Sequence, residues 1–299
     1  FGQYQLPLQE KLLLSFSATG HEQDSYYGQL PYLANQRTGF AQLTWDKKYN
    51  ESHTLLTGVA LRSNFYDDNS TATRDTLTGV TRPDRSVIPG LFIQDEWKLN
   101  ERQLLLLGIR LDHHPLHRSI FTPRRAWKWN LAQQQVFRVN AGTGFRVVNL
   151  FTEEHAALTG ARVVEIQEAL KPERSYNINL NYTRELKGKE FTLQLDASAW
   201  YSYFSNQIIP DYDTDPNKII YKNLDGFAFS KGITLNLDFT LNHRFKALAG
   251  ITLQTLKKTE TVSGGNKITQ VPVLTEKYSG TWSLSYTWPA SGWSVDYTG

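Results

Sequence analysis

The sequence predicts an all-β protein, specifically an antiparallel up-and-down transmembrane β-barrel. Three observations carry this: long segments of period-two alternation, connections that alternate between short and long, and tryptophans clustered beside the short ones. In residues 191–204, Phe191, Leu193, Leu195, Ala197, Ala199, Tyr201 and Tyr203 alternate with Thr192, Gln194, Asp196, Ser198 and Ser202. Trp200 is the exception. A strand places successive side chains on opposite faces, so this segment has one apolar and one polar face. It is longer than the ~5–6 residues usual for soluble strands. Polar inner faces on such strands suit a hydrated or plugged lumen.

The same pattern recurs along the chain. Tyr176, Ile178, Leu180 and Tyr182 alternate with Asn177, Asn179, Asn181 and Thr183. Ile233, Leu235, Leu237, Phe239 and Leu241 alternate with Thr234, Asn236, Asp238 and Thr240, and Trp282, Leu284, Tyr286 and Trp288 with Ser283, Ser285 and Thr287. Burying Asn177, Asn179 and Asn181 in a dry core would strand their amides, whereas a wet lumen satisfies them. In 103–112, Leu105, Leu107, Ile109 and Leu111 share one face; Leu104 and Leu106 share the other with Gly108, Arg110 and Asp112. In 121–129 the apolar face carries Phe121, Pro123, Trp127 and Trp129, and with them Arg125. That arginine faces lipid unless the register shifts.

Short polar turns are expected near 50–52, 100–102, 132–134, 187–189, 242–244 and 289–292. Longer connections are expected near 24–36, 66–85, 113–119, 143–172, 209–217 and 257–274. This alternation is what a meander through a bilayer produces, with tight turns on one rim and long loops on the other. About 13 strands follow. Trp45, Trp97, Trp127, Trp129, Trp288 and Trp293 lie beside short turns, while Trp200 and Trp282 sit deeper. Indole favours the water–lipid boundary, so a girdle at the short-turn rim is expected.

Composition sets the outer bounds. The 299 residues carry 32 basic and 29 acidic side chains, a net charge of +3, with no long like-charge run to mark a nucleic-acid footprint. Mean hydropathy is −0.46, and no stretch reaches the ~20 apolar residues of a membrane helix. Barrel strands escape that test, because half their residues face the lumen. With no cysteine, disulfides and thiolate metal sites are excluded. The chain also lacks methionine and begins at Phe1, which reads as part of a longer protein.

Several short motifs add a resemblance. Residues 90–99 (GLFIQDEWKL), 108–112 (GIRLD), 121–124 (FTPR), 144–150 (GFRVVNL), 170–175 (LKPERS) and 223–226 (NLDG) with Gly232 resemble the barrel of TonB-dependent outer-membrane receptors, in the family's order. The likeness is to those of the Bacteroidetes. Val148 stands where the family carries proline. The resemblance implies a fragment of a barrel of about 22 strands around an N-terminal plug. It makes residues 1–299 a partial barrel domain, with the plug, TonB box and terminal strands absent. It also implies an integral protein of the Gram-negative outer membrane. Such a receptor actively takes up a scarce nutrient, with a ferric siderophore as leading cargo and cobalamin or haem as alternatives. Its partners would be the TonB–ExbB–ExbD complex, engaged through the plug, a small-molecule ligand such as a metal chelate, and outer-membrane lipid. No enzyme activity, cofactor or nucleic-acid partner is expected. A passive porin and a soluble β-rich adhesion or carbohydrate-binding module are the other classes considered.

No P-loop, Gly-x-Ser-x-Gly or His-Glu-x-x-His motif is present. His113, His114 and His117 have a metal-like spacing, but are expected on a solvated loop tip rather than as a metal site. The loop 143–172 is the richest in functional groups. Residues 152–160 predict a short helix, capped by Thr152 and Gly160, with Glu153 and Glu154 at its positive end. Arg146 and Arg162 flank it, to pair with carboxylates or grip an anionic ligand. The candidate ligand contacts are Tyr26, Tyr27, Tyr32, Arg146, His155, Arg162 and Tyr212, the last beside Asp211, Asp213 and Asp215. Tyrosine suits the role because its ring stacks and its hydroxyl hydrogen-bonds.

Overall fold

The computed structural model describes residues 2–6, 10–27, 30–70, 73, 78, 80–147, 162–166, 168–212, 214–261, 265–272 and 275–299. Among them, one antiparallel sheet forms a path of fourteen strands. In path order these are β1 (Gly2–Leu6), β2 (Glu10–Tyr27), β3 (Leu30–Lys48), β4 (His53–Asp68), β5 (Asp84–Asn100), β6 (Gln103–His114) and β7 (Arg118–Ala132). Then follow β8 (Gln135–Arg146), β10 (Glu173–Lys187), β11 (Phe191–Asn206), β14 (Gly226–Leu241), β15 (Phe245–Thr261), β17 (Tyr278–Trp288) and β18 (Trp293–Thr298). A further strand, β16 (Lys267–Gln270), pairs with β15. A separate small sheet contains β12 (Ile208–Asp211), β13 (Lys218–Asn223) and β9 (Val163–Ile166), with β9 parallel to β13. The main sheet is an open arc of barrel wall: its path ends at β1 and β18.

Register places every expected apolar stripe on one convex face. Leu43, Val59 and Leu91 lie directly across from one another, as do Leu180 and Ala199, and Leu235 and Ile251. Leu14, Phe16, Val59, Leu91, Ile109, Ile178, Ile233 and Ile251 are all exposed, so this face is a wide apolar belt. A soluble protein rarely leaves such a continuous patch uncovered. The opposite face carries Gln94, Arg124, Asn140, Asn177, Asn179, Asn181, Asp196, Asn236 and Thr252. In 103–112 the outward stripe is Leu107, Ile109 and Leu111, each more than a third exposed, as expected. Arg125 also lies outward, opposite Leu107 and Ala141. No register shift occurs there; the irregularity in β7 falls at Asn130–Ala132, beside the short turn.

The short turns all lie on one rim, and the tryptophans assigned to it point outward. Trp127 and Trp129 stack at 5.5 Å, and Trp288 lies opposite Trp293. Trp200 faces the lumen instead. Its ring lies over Gly232, where an added Cβ would come within 2.4 Å of it. The glycine of that motif therefore admits an indole to the lumen wall.

Two expected long connections are short. Strands β2 and β3 continue in register to Tyr27 and Leu30, so 24–36 is a hairpin with only residues 28–29 between its strands. Polar residues at 21–25 masked a strand that extends above the membrane, where both faces are wet. Likewise 113–119 contracts to a three-residue turn between His114 and Arg118. His114 is buried rather than solvated, and its Nδ1 accepts the Leu116 and His117 amides at 3.2 and 3.3 Å. His113 occupies the opposite face of the strand, so the three imidazoles do not converge. The small sheet was not expected, because strands of four to six residues carry little periodicity.

The outward face predicts a sharp asymmetry between neighbouring positions. Ile178→Arg is expected to cost about 2–4 kcal/mol, the penalty for a cation in the lipid belt. Asn179→Arg, one residue along and facing the lumen, is expected to cost under about 1 kcal/mol. Denaturant unfolding of the two variants in lipid vesicles measures the difference.

Candidate functional site

Strands β2 to β5 contain 16–19 residues, whereas about 9–11 cross a bilayer. Their ends rise above the apolar belt as a wall around the mouth. The small sheet lies across the inside of that wall. Its Ile219 and Tyr221 pack on Tyr32 and Ala34 of β3, together with Val164, Leu170 and Ile208. The small sheet itself springs from the tops of β11 and β14, seven positions farther along the path. At about 4.8 Å per strand, that is about 34 Å around the wall. The small sheet is thus a chord across the mouth.

The side chains beneath it form a buried relay. The hydroxyls of Tyr32 and Tyr66 lie 2.7 Å apart, and Tyr66 donates to Asp68 Oδ2 at 2.7 Å. Asp68 Oδ1 accepts from the Ser70 amide and hydroxyl and from Thr73 Oγ1. These bonds fix the start of the β4–β5 connection. Tyr66 on β4 and Tyr221 of the small sheet are each only 1% exposed.

The far side of the chord is held by charge. Lys222 reaches Glu260 of β15 at 3.0 Å, tying the small sheet to the wall, while its contact with Asp211 of β12 at 3.3 Å and that of Lys218 with Glu165 of β9 at 2.8 Å join strands within the small sheet. Burial alone would depress the Lys222 ammonium, but its bonds to Glu260 and Asp211 outweigh that and raise it above its ordinary value of 10.5. A raised lysine stabilises fully below its ordinary value and loses that contribution as pH rises through the raised one. The tie is therefore complete at neutral pH.

Motif residues supply the remaining joints. Glu173 accepts from Arg146 at 2.8 Å and from the Ile208 amide at 3.0 Å, joining β8, β10 and β12. Asn223 accepts from the Lys171 amide and donates to the Ala169 carbonyl, while its own amide donates to Glu168. Three motifs distant in sequence thus meet at one rim. Lower in the lumen, Arg110 and Asp112 form a bidentate pair, and Asp112 is 1% exposed. Gly90 makes the room: a Cβ there would lie 2.3 Å from Asp112 Oδ1.

The expected ligand contacts separate into groups. Arg162 and Tyr212 come together at the mouth: the guanidinium lies 5.9 Å from the ring centroid and donates to the Tyr212 carbonyl at 3.1 Å. Tyr32 is buried in the relay. Arg146 pairs with Glu173, while Glu153 and Glu154 lie outside the described residues. Tyr26 is 71% exposed on the outward face, away from the mouth. Tyr27 ends β2, and its side chain lies outside the described residues. His155 and the expected helix at 152–160 also lie outside them. Sequence reasoning missed Tyr66, Asp68, Lys222 and Asn223. Of these, Asn223 alone lies in one of the sequence motifs.

The comparisons with known proteins agree with this architecture. Over residues 3–299 the chain matches the family described as TonB dependent receptor-like, beta-barrel. A stretch of 92 residues is 37% identical to the iron-regulated outer membrane virulence protein of Vibrio cholerae serotype O1, covering 30% of this chain and 14% of that protein. The FrpB iron transporter of Neisseria meningitidis (F3-3 variant) superposes with a TM-score of 0.73 at 14% identity, over 96% of this chain and 47% of that one. The P. aeruginosa FpvA structure with heterologous pyoverdine gives 0.63 at 13% identity, over 97% and 43%. The chain spans under half the length of these solved structures.

The chord predicts local rather than global loss on truncation. Tyr221→Ala is expected to weaken docking of the small sheet by about 3 kcal/mol, the usual cost of emptying an aromatic site. Amide exchange at 218–223 should then rise about a hundredfold, while β10 and β11 keep wild-type protection. Equal acceleration across both would contradict it. Its match over nearly its whole length, with an open arc of long antiparallel strands, shows that this chain belongs to the TonB-dependent receptor β-barrel family and is an integral outer-membrane protein.

Proposed function

We propose that the protein containing this chain captures a ferric siderophore at the outside of the cell and imports it with energy from the TonB–ExbB–ExbD complex. The observation that carries the reading is the chord across the mouth. A passive pore gains nothing from a sheet tied across its entrance, whereas a receptor gains a rigid floor for its ligand-binding loops. Arg162 and Tyr212 stand at that floor as a cation beside an aromatic ring. Together they suit a chelate that is flat and anionic. The iron-related names of the similar proteins point the same way. Transport on this reading is mechanical: an N-terminal plug outside this chain rearranges, and no bond in the cargo is made or broken.

Isothermal titration of the full-length receptor with a panel of ferric siderophores, haem and cobalamin tests the cargo. One ferric siderophore is expected to bind with submicromolar affinity, and Arg162→Ala to weaken it at least about tenfold through loss of a charge-assisted contact. Uptake of the labelled chelate should cease in cells lacking TonB. Uptake that continues without TonB identifies a passive pore instead.

A further inference from the structure

The two rims of the outward face differ in chemistry. The short-turn rim is lined by the tryptophans already described. At the opposite rim, five exposed cations point outward: Arg37 on β3, Arg85 on β5, Arg174 on β10, Lys231 on β14 and Lys257 on β15. Two of them form a defined constellation. Arg37, Phe65 and Arg85 occupy one rung across β3, β4 and β5. Their guanidinium carbons lie 5.9 and 5.3 Å from the Phe65 ring centroid, one from each side. Arg37 Nε donates to Asn35 Oδ1 at 3.3 Å. The outward acids nearby, Glu22 and Asp67, lie one rung farther out, and among the described residues neither forms an ion pair with these arginines. Glu22 instead accepts from Asn35 at 3.2 Å.

The height of this rung is informative. Arg85 lies twelve residues from Trp97 along β5. At about 3.3 Å per residue and a tilt of about 45°, the separation along the membrane normal is about 28 Å. The apolar band of an outer-membrane barrel is about 25 Å tall. The outward rung next to Trp97 is Asp95–Leu55–Lys47; beyond it the rungs are apolar or small, running through Ile93–Thr57–Trp45, Leu91–Val59–Leu43 and Pro89–Leu61–Ala41 to Val87–Ser63–Gly39. Trp97 at one lipid boundary thus sets Arg37 and Arg85 at the other. There the outermost polar groups of the lipid are its headgroups. Two like charges held around one ring, with no carboxylate between them, call for an anion. Guanidinium forks match phosphate in shape and charge.

We propose that Arg37 and Arg85 hold a phosphate group of an anionic outer-leaflet lipid whose chain lies along the Leu91–Val59–Leu43 rungs, and that Arg174, Lys231 and Lys257 continue this phosphate collar around the wall. The proposal rests on the outer-membrane placement of the chain and is independent of the cargo. It predicts a specific lipid bound at β3–β5, tighter than the general lipid annulus.

The test uses the full-length receptor in an uncharged detergent, titrated with bisphosphorylated lipid A, with its dephosphorylated form and with inorganic phosphate, and read by native mass spectrometry. Each surface cation contributes about fivefold beside an anionic lipid. The variant Arg37→Gln/Arg85→Gln is therefore expected to bind bisphosphorylated lipid A about 30-fold more weakly, with binding of the dephosphorylated form unchanged. Arg37→Lys/Arg85→Lys should retain most of the affinity. Should the glutamine pair fail to assemble as a heat-modifiable barrel, Arg85→Gln alone, at about fivefold, decides. Equal affinity of wild type and variant, or of the two lipid forms, overturns the proposal. So does displacement of the lipid by about 10 mM inorganic phosphate, since the site would then recognise a free anion rather than a lipid.

Discussion

Backbone hydrogen bonding in hydrocarbon governs this molecule. A peptide group exposed to lipid has no water to turn to, so each N–H and C=O must find a partner in the neighbouring strand. The sheet meets that demand with uninterrupted antiparallel ladders, such as Lys48–Thr54 to Ala34–Asp68 between β3 and β4. Once the ladders are fixed, the side chains have only two directions. One must be tolerable to lipid and the other to a wet interior, and the period-two pattern is the consequence. Arg125 shows how firm the constraint is. The ladder keeps its register through this residue and leaves the cation on the lipid side.

Above the belt the constraint relaxes and a different logic takes over. The strand ends are exposed to water on both faces, so they can carry polar residues, turn tightly or support other structure. Here they support the chord formed by β9, β12 and β13. One end rests on an apolar contact, Tyr221 and Ile219 against Tyr32; the other rests on the Lys222–Glu260 ion pair. Exposed ion pairs contribute little singly. The buried aromatic contact is therefore the stronger anchor, and the charged end chiefly sets orientation. The Tyr32–Tyr66–Asp68 relay then couples the chord to the β4–β5 connection through satisfied, buried hydrogen bonds.

Much of what looks like a functional motif is joinery. Arg146, Glu173 and Asn223 each lie in a segment that resembles the family, and each ties strand ends together at the mouth. Gly90 and Gly232 exist to admit a larger neighbour, Asp112 in one case and Trp200 in the other. Arg162 and Tyr212 stand apart from these ties as a pair of their own at the mouth.

The alternation in segments such as 176–183 and 233–241 determined by itself the fold class, the strand directions and which face meets lipid, because side-chain direction in a strand is a local property of the backbone. The tryptophan girdle was legible for the same reason: each indole lies beside its own short turn. The sequence could not reveal that 24–36 is a tight hairpin, since water on both faces erases the alternation that marks a strand. Nor could it reveal the chord. Tyr32, Tyr66 and Tyr221 lie far apart in the chain, and only the curvature of the wall brings β3 opposite the segment between β11 and β14. Tertiary structure alone decided that Tyr32 is a buried support while Tyr26, six residues earlier, faces outward, because burial depends on what another part of the chain lays on top.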